Sequence, residues 1–197
     1  LRAAGNAPQT LIVCGTRGTG RIRRALFGST GSRLVRNAAG PVWLVSPRED
    51  QNRPLEILAA TDLTSVGEDV LLTAVSLSRQ LPSRLHVVHV VDQMLERFLR
   101  RTGTPPEQLE DLRRKSLEQA EQAVHDQLAV TDFRTLPQGV QVHVTEGPAD
   151  VSILNAIREL NIDVLIMATH ARGGMAGVVM GNTAESLLPD IPCSLIV

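Results

Sequence analysis

The strongest constraint in this chain is a regular alternation of short apolar runs with amphipathic stretches, which begins at Leu55 and continues to the last residue. Residues 55–61 form an apolar run bounded by Pro54 and ending at Asp62, and they read as a buried strand. Ser65-Val-Gly-Glu68 has capping-box spacing ahead of a helix that places Leu71, Ala74 and Val75 on one side. Residues 85–91 read as a second strand, polar at His86 and His89. A charged stretch broken at Gly103-Thr-Pro-Pro106 leads into a long helix that runs to about Val130, with Leu109, Leu112, Leu117, Ala120, Val124 and Leu128 at nearly helical spacing. A third strand at 140–145 ends in Glu146-Gly147-Pro148; a helix marked by Ile153, Leu154, Ile157 and Leu160 follows, then a fourth strand at 163–168. A glycine-rich loop, a short helix from Asn182 and a strand at 193–197 complete the series. Strands that alternate with helices require right-handed crossovers, and strands that are apolar throughout require cover on both faces. The expected fold is therefore α/β, a doubly wound five-stranded parallel sheet over residues 55–197. At 43% hydrophobic residues the chain can bury a core of that size.

The first fifty residues repeat the end of this unit. Leu11-Ile-Val-Cys14 reads as a strand, 15–28 as a glycine-rich loop, 29–37 as a short helix and Pro41-Val-Trp-Leu-Val45 as a closing strand. Gly15 and Ala168 stand 153 residues apart, as do Gly28 and Gly181, and a constant offset of one domain length implies duplication. The expected organisation is the C-terminal part of a first domain at 1–47, a polar linker at 48–54 and a complete second domain at 55–197. Residues 1–10 lack the charged region, apolar stretch and cleavage site of a signal peptide, and 193–197 stops within a strand, so the sequence reads as a piece of something longer. Two strands and one helix cannot bury their apolar faces alone. The missing strands are therefore expected elsewhere in the native protein, or the fragment docks on the second domain or on another chain.

Charge and motif exclude several functions. Of 20 basic and 21 acidic residues, eight arginines with Glu49 and Asp50 fall in the first fifty, leaving 12 against 19 in the rest. No overall pull toward nucleic acid exists at a net charge of -1. No apolar run approaches the ~20 residues that cross a bilayer. The only lysine, Lys115, follows Arg114, so a Walker A loop is ruled out. Cys14 and Cys193 lie far apart in apolar runs, which fits small core residues in a reducing cytoplasm better than a disulfide, a zinc ribbon or redox sensing. His86 and His89, expected on one face of their strand, have the i, i+3 spacing of a metal pair, joined by no carboxylate cluster beyond Asp92. There is no HExxH, GxSxG or CxxC, and no base beside a nucleophile.

The loops carry the remaining chemistry. In a doubly wound sheet, ligands bind outside the carboxyl ends of the strands, where strand order reverses. Gly15-Thr-Arg-Gly18, nine further residues and Gly28-Ser29-Thr30 form such a loop, with free amides and hydroxyls at a helix start and Arg17, Arg21, Arg23 and Arg24 around it. This G-x2-G-x9-G-[ST] pattern resembles that of the universal stress protein family. The likeness extends through Ala60-Thr61-Asp62, His89-Val-Val-Asp92 and Glu146-Gly147-Pro148-Ala149. It covers essentially the whole chain and is closest to the tandem-domain type, with an adenine nucleotide alpha-hydrolase-like fold.

The resemblance implies a site for ATP or AMP. The first copy would supply Gly15, Gly18, Gly28, Ser29 and Thr30, its acidic partner lying in the missing part. In the second copy Asp62 would bind adenine or ribose, beside Thr61, with Val90 lining the pocket. Its loop would contribute Met167, Ala168, Ala171, Gly181, Asn182 and Thr183. That loop departs from the motif, because Ala168 and Ala171 replace glycines and Asn182 replaces serine. Alanine at a positive-φ position costs ~1 kcal/mol and crowds a phosphate, though Gly173, Gly174 and Gly177 offer other places to turn and Asn182 can cap a helix. Plainer readings stand beside these: Asp62 as a turn cap, His170 as a solvated loop residue, the arginines as a solvated approach, Met167 as core filling, and the helix around 107–130 as domain packing. Three functions follow: a nucleotide-binding regulator of the stress response, a protein-interaction and dimerisation module without nucleotide, and a slow ATPase. The closing strands lie at sheet edges, so the two copies are expected to pack pseudo-symmetrically, with a homodimer plausible.

Overall fold

The computed structural model describes residues 11–15, 29–38, 40–48, 50, 52–169 and 181–197. Strands β1 (Ile12–Gly15), β2 (Val42–Val45), β3 (Leu55–Ala60), β4 (Ser83–Val91), β5 (Val140–Glu146), β6 (Val164–Met167) and β7 (Ser194–Ile196) form one sheet in the order β1-β2-β7-β6-β3-β4-β5. The helices are α1 (Ser29–Asn37), α2 (Ser65–Gln80), α3 (Met94–Arg101), α4 (Pro106–Ala129), α5 (Ala149–Glu159) and α6 (Asn182–Leu187). The five strands from β3 onward are all parallel, as the alternation requires. Their side chains divide between two cores. Leu58, Val88 and Leu165 face α1, α5 and α6, whereas Ile57, Val87 and Ile166 face α2 and α4. Helices on both sides make the sheet doubly wound.

Three local features differ from the sequence reading. Helix α2 is capped by Thr64, whose hydroxyl accepts from the Gly67 amide at 3.4 Å, and Ser65 is already helical. The charged stretch after β4 folds into α3, an amphipathic helix of about two turns that buries no residue and carries exposed Met94, Leu95 and Phe98. Its apolar side chains meet no core, so hydrophobic periodicity gave no signal for it. Helix α6 is capped by Gly181, with Asn182 as its first residue and not its cap.

The first fifty residues join the same sheet. Strand β1 pairs β2 in parallel, and β2 pairs β7 antiparallel, with Trp43 opposite Ile196 and Leu44 opposite Leu195. Val42 N–H donates to Val197 O and Val197 N–H to Val42 O, both at 2.9 Å. The register of the two halves is the same. Ile12 pairs Val42 as Leu165 pairs Leu195, each partner 153 residues on, and Trp43 lies opposite its own counterpart, Ile196. The seam therefore has the local two-fold symmetry of an isologous contact, centred on the Trp43–Ile196 pair.

Two further ties fix this arrangement. Ser46 N–H donates to the buried Ser194 hydroxyl at 3.0 Å. The carboxylate of Asp163, at the start of β6, takes Arg53 at 2.8 Å and Arg48 at 3.3 Å, and accepts the Glu56 amide at 2.9 Å. Hydrogen bonds contribute only about 0.5–1.5 kcal/mol each on balance. Burial decides the matter: Val42 and Leu44 are 1% exposed and Leu195 is fully buried, and each such side chain contributes about 1.5–3 kcal/mol. Cys193, beside them, has its thiol pushed up to about 12 by burial and stays protonated. We expect Leu44→Ala to cost about 2–5 kcal/mol. Hydrogen exchange should then release β1 and β2 ahead of β3 and β6, while the fluorescence of Trp43, the only tryptophan, reports the loosened seam.

Candidate functional site

The sheet reverses its winding between β3 and β6. From β3 the chain moves to β4 and β5, then crosses back to add β6 and β7 on the other side. This is the switch point at which open α/β sheets leave a crevice at the carboxyl ends of their strands. Ala60, the last residue of β3, is in register with both Val88 of β4 and Met167, the last residue of β6. Thr61 and Asp62 therefore emerge next to Ala168 and Thr169, with Val90 two residues along β4. Ala60, Val90 and Met167 pack with the α5–α6 core, while Ala168 packs with the α2–α4 core. Met167 is 6% exposed, so it fills core as well as flooring the crevice.

The segment after β3 is firmly held. Thr61 is buried; its hydroxyl donates to Gln127 Oε1 at 2.8 Å and accepts the Leu63 amide at 3.1 Å. Gln127 Nε2 donates to Thr64 O at 2.9 Å, so one α4 side chain clamps both ends of the turn. His89 Nδ1 lies 2.9 Å from Thr61 O. Asp62 is exposed, and its Oδ1 accepts from the Thr64 amide at 3.0 Å and from the Thr64 hydroxyl. The turn-cap role of Asp62 is thus real, and it occupies Oδ1 of an exposed carboxylate. Gly67 permits this arrangement, because a Cβ there would come within 2.4 Å of Thr61 Oγ1 and 2.9 Å of Asp62 Oδ1.

Across the crevice, the Gly181 amide donates to Thr169 O at 2.6 Å and pinches the neck of the second glycine-rich loop. That amide is consumed by the loop itself. Asn182 is exposed and Thr183 half-buried at the start of α6. Ala171, with His170, lies outside the described residues, as do Gly18, Gly28 and the arginines between them. Gly15 closes β1, and among the described residues an added Cβ there meets nothing within 4 Å. Ser29 and Thr30 open α1. Since β2 runs antiparallel to β7, the carboxyl end of β1 points the opposite way from that of β6. The structure therefore does not bring the Gly15–Ser29–Thr30 set together with Asp62. The two sets lie at opposite ends of the sheet.

His86 and His89 do not converge on a metal. They occupy opposite faces of β4: His86 bonds His143 and Glu56, each at 3.1 Å, whereas His89 turns to Thr61. Among the described residues no group of three or more His, Cys, Asp or Glu is placed to hold an ion. Burial, together with the neighbouring His86, holds the His143 imidazole below its usual value. Sequence reasoning missed Gln127, Gly67 and His143. Gln127 sits on the partly buried side of a helix read only for its apolar positions, and nothing local announces its role.

The comparisons with known proteins agree with this geometry. The universal stress protein family profile matches residues 1–46 and 55–197, and the chain belongs to that family. It is 23% identical over 188 residues to universal stress protein E of Escherichia coli K12, a match that covers 90% of this chain and 56% of that protein. The chain thus spans little more than half the length of that relative. Universal stress protein MJ0531 of Methanocaldococcus jannaschii is 22% identical over 154 residues, covering 76% of this chain and 85% of that protein. Among solved structures, a universal stress protein from Archaeoglobus fulgidus matches the whole chain and 64% of its own with a TM-score of 0.63 at 21% identity. A Pseudomonas aeruginosa PAO1 protein described as functionally unknown gives 0.68 at 23% identity, over 95% of this chain and 62% of that one. At these identities the likeness is one of fold.

Two outcomes follow. Gly67→Ala should lose about 1–3 kcal/mol by crowding Thr61 and Asp62, despite a helix-propensity gain approaching 1 kcal/mol; chemical denaturation measures the balance. A histidine whose folded pKa is lowered stabilises the fold above its unfolded value near 6.5, and that contribution is lost as pH falls from there through the folded value. Thermal melts between pH 7.5 and 5 should decline in that window for the parent chain, and His143→Gln should flatten the decline.

Proposed function

We infer that this chain belongs to a regulatory protein of the stress response that binds an adenine nucleotide, ATP or AMP, and signals its occupancy through shape or partners. In this reading two copies of the fold lie in tandem: the tail of a first at 1–47, a linker at 48–54 and a complete second at 55–197. The identical register of β1–β2 and β6–β7 at a spacing of 153 residues supports the tandem arrangement. A family match in two segments, 1–46 and 55–197, supports it as well. The nucleotide reading rests on one observation above all. An exposed Asp62 stands at the switch point, on a turn clamped by Gln127 and His89, beside Val90 and Met167. A preorganised carboxylate at that place suits ribose hydroxyls or the adenine amino group, both of which are donors. Thr61 acts by holding the turn. Ala168, Ala171, Gly181, Asn182 and Thr183 would border the phosphates, and in the first copy Gly15, Gly18, Gly28, Ser29 and Thr30 would do so.

A second reading has its own support. The Gly181 amide is spent on Thr169 O, and Ala168 and Ala171 stand where the motif has glycine. Both weaken a phosphate cradle in the second copy and favour an interaction module there. The seam between β2 and β7 buries apolar surface in the manner of a subunit contact, and a homodimer of the longer protein would reuse such edges. With free Cys14 and Cys193 and no described helix able to cross a membrane, this reading fits the cytoplasm.

Small molecules released by heat from the purified longer protein, identified by mass spectrometry, decide between the two. Stoichiometric ATP, ADP or AMP is the expected result, with Asp62→Asn, which keeps an oxygen for the Thr64 amide and hydroxyl, weakening titrated ATP at least about tenfold while the melting temperature holds. Empty protein that also fails to bind added ATP would establish the interaction module instead.

A further inference from the structure

Strand β5 closes the sheet on the side away from the seam. Among the described residues it is paired with β4 alone, so alternate N–H and C=O groups along Val140–Glu146 face outward. An open cleft of about 1070 Å³ runs along this edge, with β5 as its floor and α4 and α5 as its walls. That exceeds the roughly 300–1,000 Å³ of pockets for drug-sized ligands. A seven-residue strand of about 23 Å matches its floor. The cleft is separate from the crevice at the carboxyl end of β3.

Its lining is acidic. Glu110, Glu118, Glu121, Glu146 and Glu159 face it, against Arg113 and Arg114. Both arginines are already engaged: Arg113 with Glu146, and Arg114 with Asp111 at 2.6 Å and Glu118 at 3.0 Å. Among the described residues neither Glu121, on the α4 wall, nor Glu159, on the α5 wall, has an ion-pair partner. Among the described residues the other titratable group on the floor besides Glu146 is His143, held below its usual value by burial and by the neighbouring His86. Apolar surface lies between the carboxylates, with Leu117 on one wall and Val151, 51% exposed, on the other.

We propose that the β5 edge takes an added strand from a partner protein: an extended segment of about seven residues carrying lysine or arginine among apolar side chains. The backbone edge supplies the hydrogen bonds, and Glu121 and Glu159 select the charge. A second copy of this chain is the wrong occupant. Its own β5 edge would bring the same carboxylates and no lysine or arginine of its own strand, so the two clefts repel.

The test uses the full 197-residue chain and a blocked, fluorescein-labelled peptide of alternating lysine and valine, eight residues long. An alternating glutamate–valine peptide is the control. Anisotropy should show saturable binding of the lysine peptide only, weakened at least about tenfold by Glu121→Lys combined with Glu159→Lys. Both positions are exposed and without ion pairs, so the variant keeps its melting temperature. Hydrogen exchange should slow at amides within Val140–Glu146 when the peptide is bound, and a version N-methylated at every second residue should not bind. Equal binding of the two peptides, indifference to the double reversal, unprotected β5 amides, or no binding at millimolar peptide would each overturn the proposal. Concentration-dependent self-association lost on blocking β5 would overturn it in favour of a second copy.

Discussion

Strand β3 is paired on both sides, and the requirement that β4 and β6 both run parallel to it governs the rest of the molecule. A parallel neighbour can be reached only by a crossover, and a right-handed crossover commits each helix to one face according to the direction in which the sheet is growing. Growth toward β4 and β5 places α2 and α4 on one face; growth back toward β6 and β7 places α5 and α6 on the other. At the reversal the chain leaves β3 and β6 side by side, so Thr61, Asp62 and Thr169 lie together at the strand ends, with Asp62 exposed above the buried Thr61. The crevice follows from topology before any side chain is considered.

The two edges of the five parallel strands are managed by different physics. At β7 the edge backbone is satisfied by β2, and the seam is apolar and locally two-fold. At β5 the backbone stays open and the surroundings are acidic. An uncharged β5 edge would invite pairing with any like edge. Carboxylates on both walls suppress that and leave charge as the criterion for entry. One edge is thus selective by shape and burial, the other by electrostatics, which is felt at longer range and falls with salt.

Much of the fold was legible because its signals are local. The run at β6 is apolar without interruption and those at β3 and β7 are apolar but for Glu56 and Ser194, the spacing of α4 is nearly helical, and glycines and prolines mark the turns. Helix α3 escaped because it buries nothing, and the capping-box spacing at Ser65 was displaced by one residue because Thr64 also satisfies Asp62. The candidate site was legible in part. Asp62, Met167 and Ala168 stand where strand ends predicted them. Gln127 and Gly67, which hold Asp62 in place, could not be found, since the first acts across a helix–turn gap and the second through the space its missing Cβ leaves.

The sequence by itself determined the parallel, doubly wound sheet, the carboxyl-end location of the candidate loops and the recurrence of one register at a fixed spacing, since each follows from periodicity along the chain. Only the tertiary structure decided that β2 meets β7 head to tail. That single choice places Gly15 and Ser29 at the opposite end of the sheet from Asp62. The direction of a strand pair is fixed by which side chains meet across the seam, here Val42 and Leu44 with Leu195 on one face and Trp43 with Ile196 on the other. No pattern within either segment encodes the outcome of that contact.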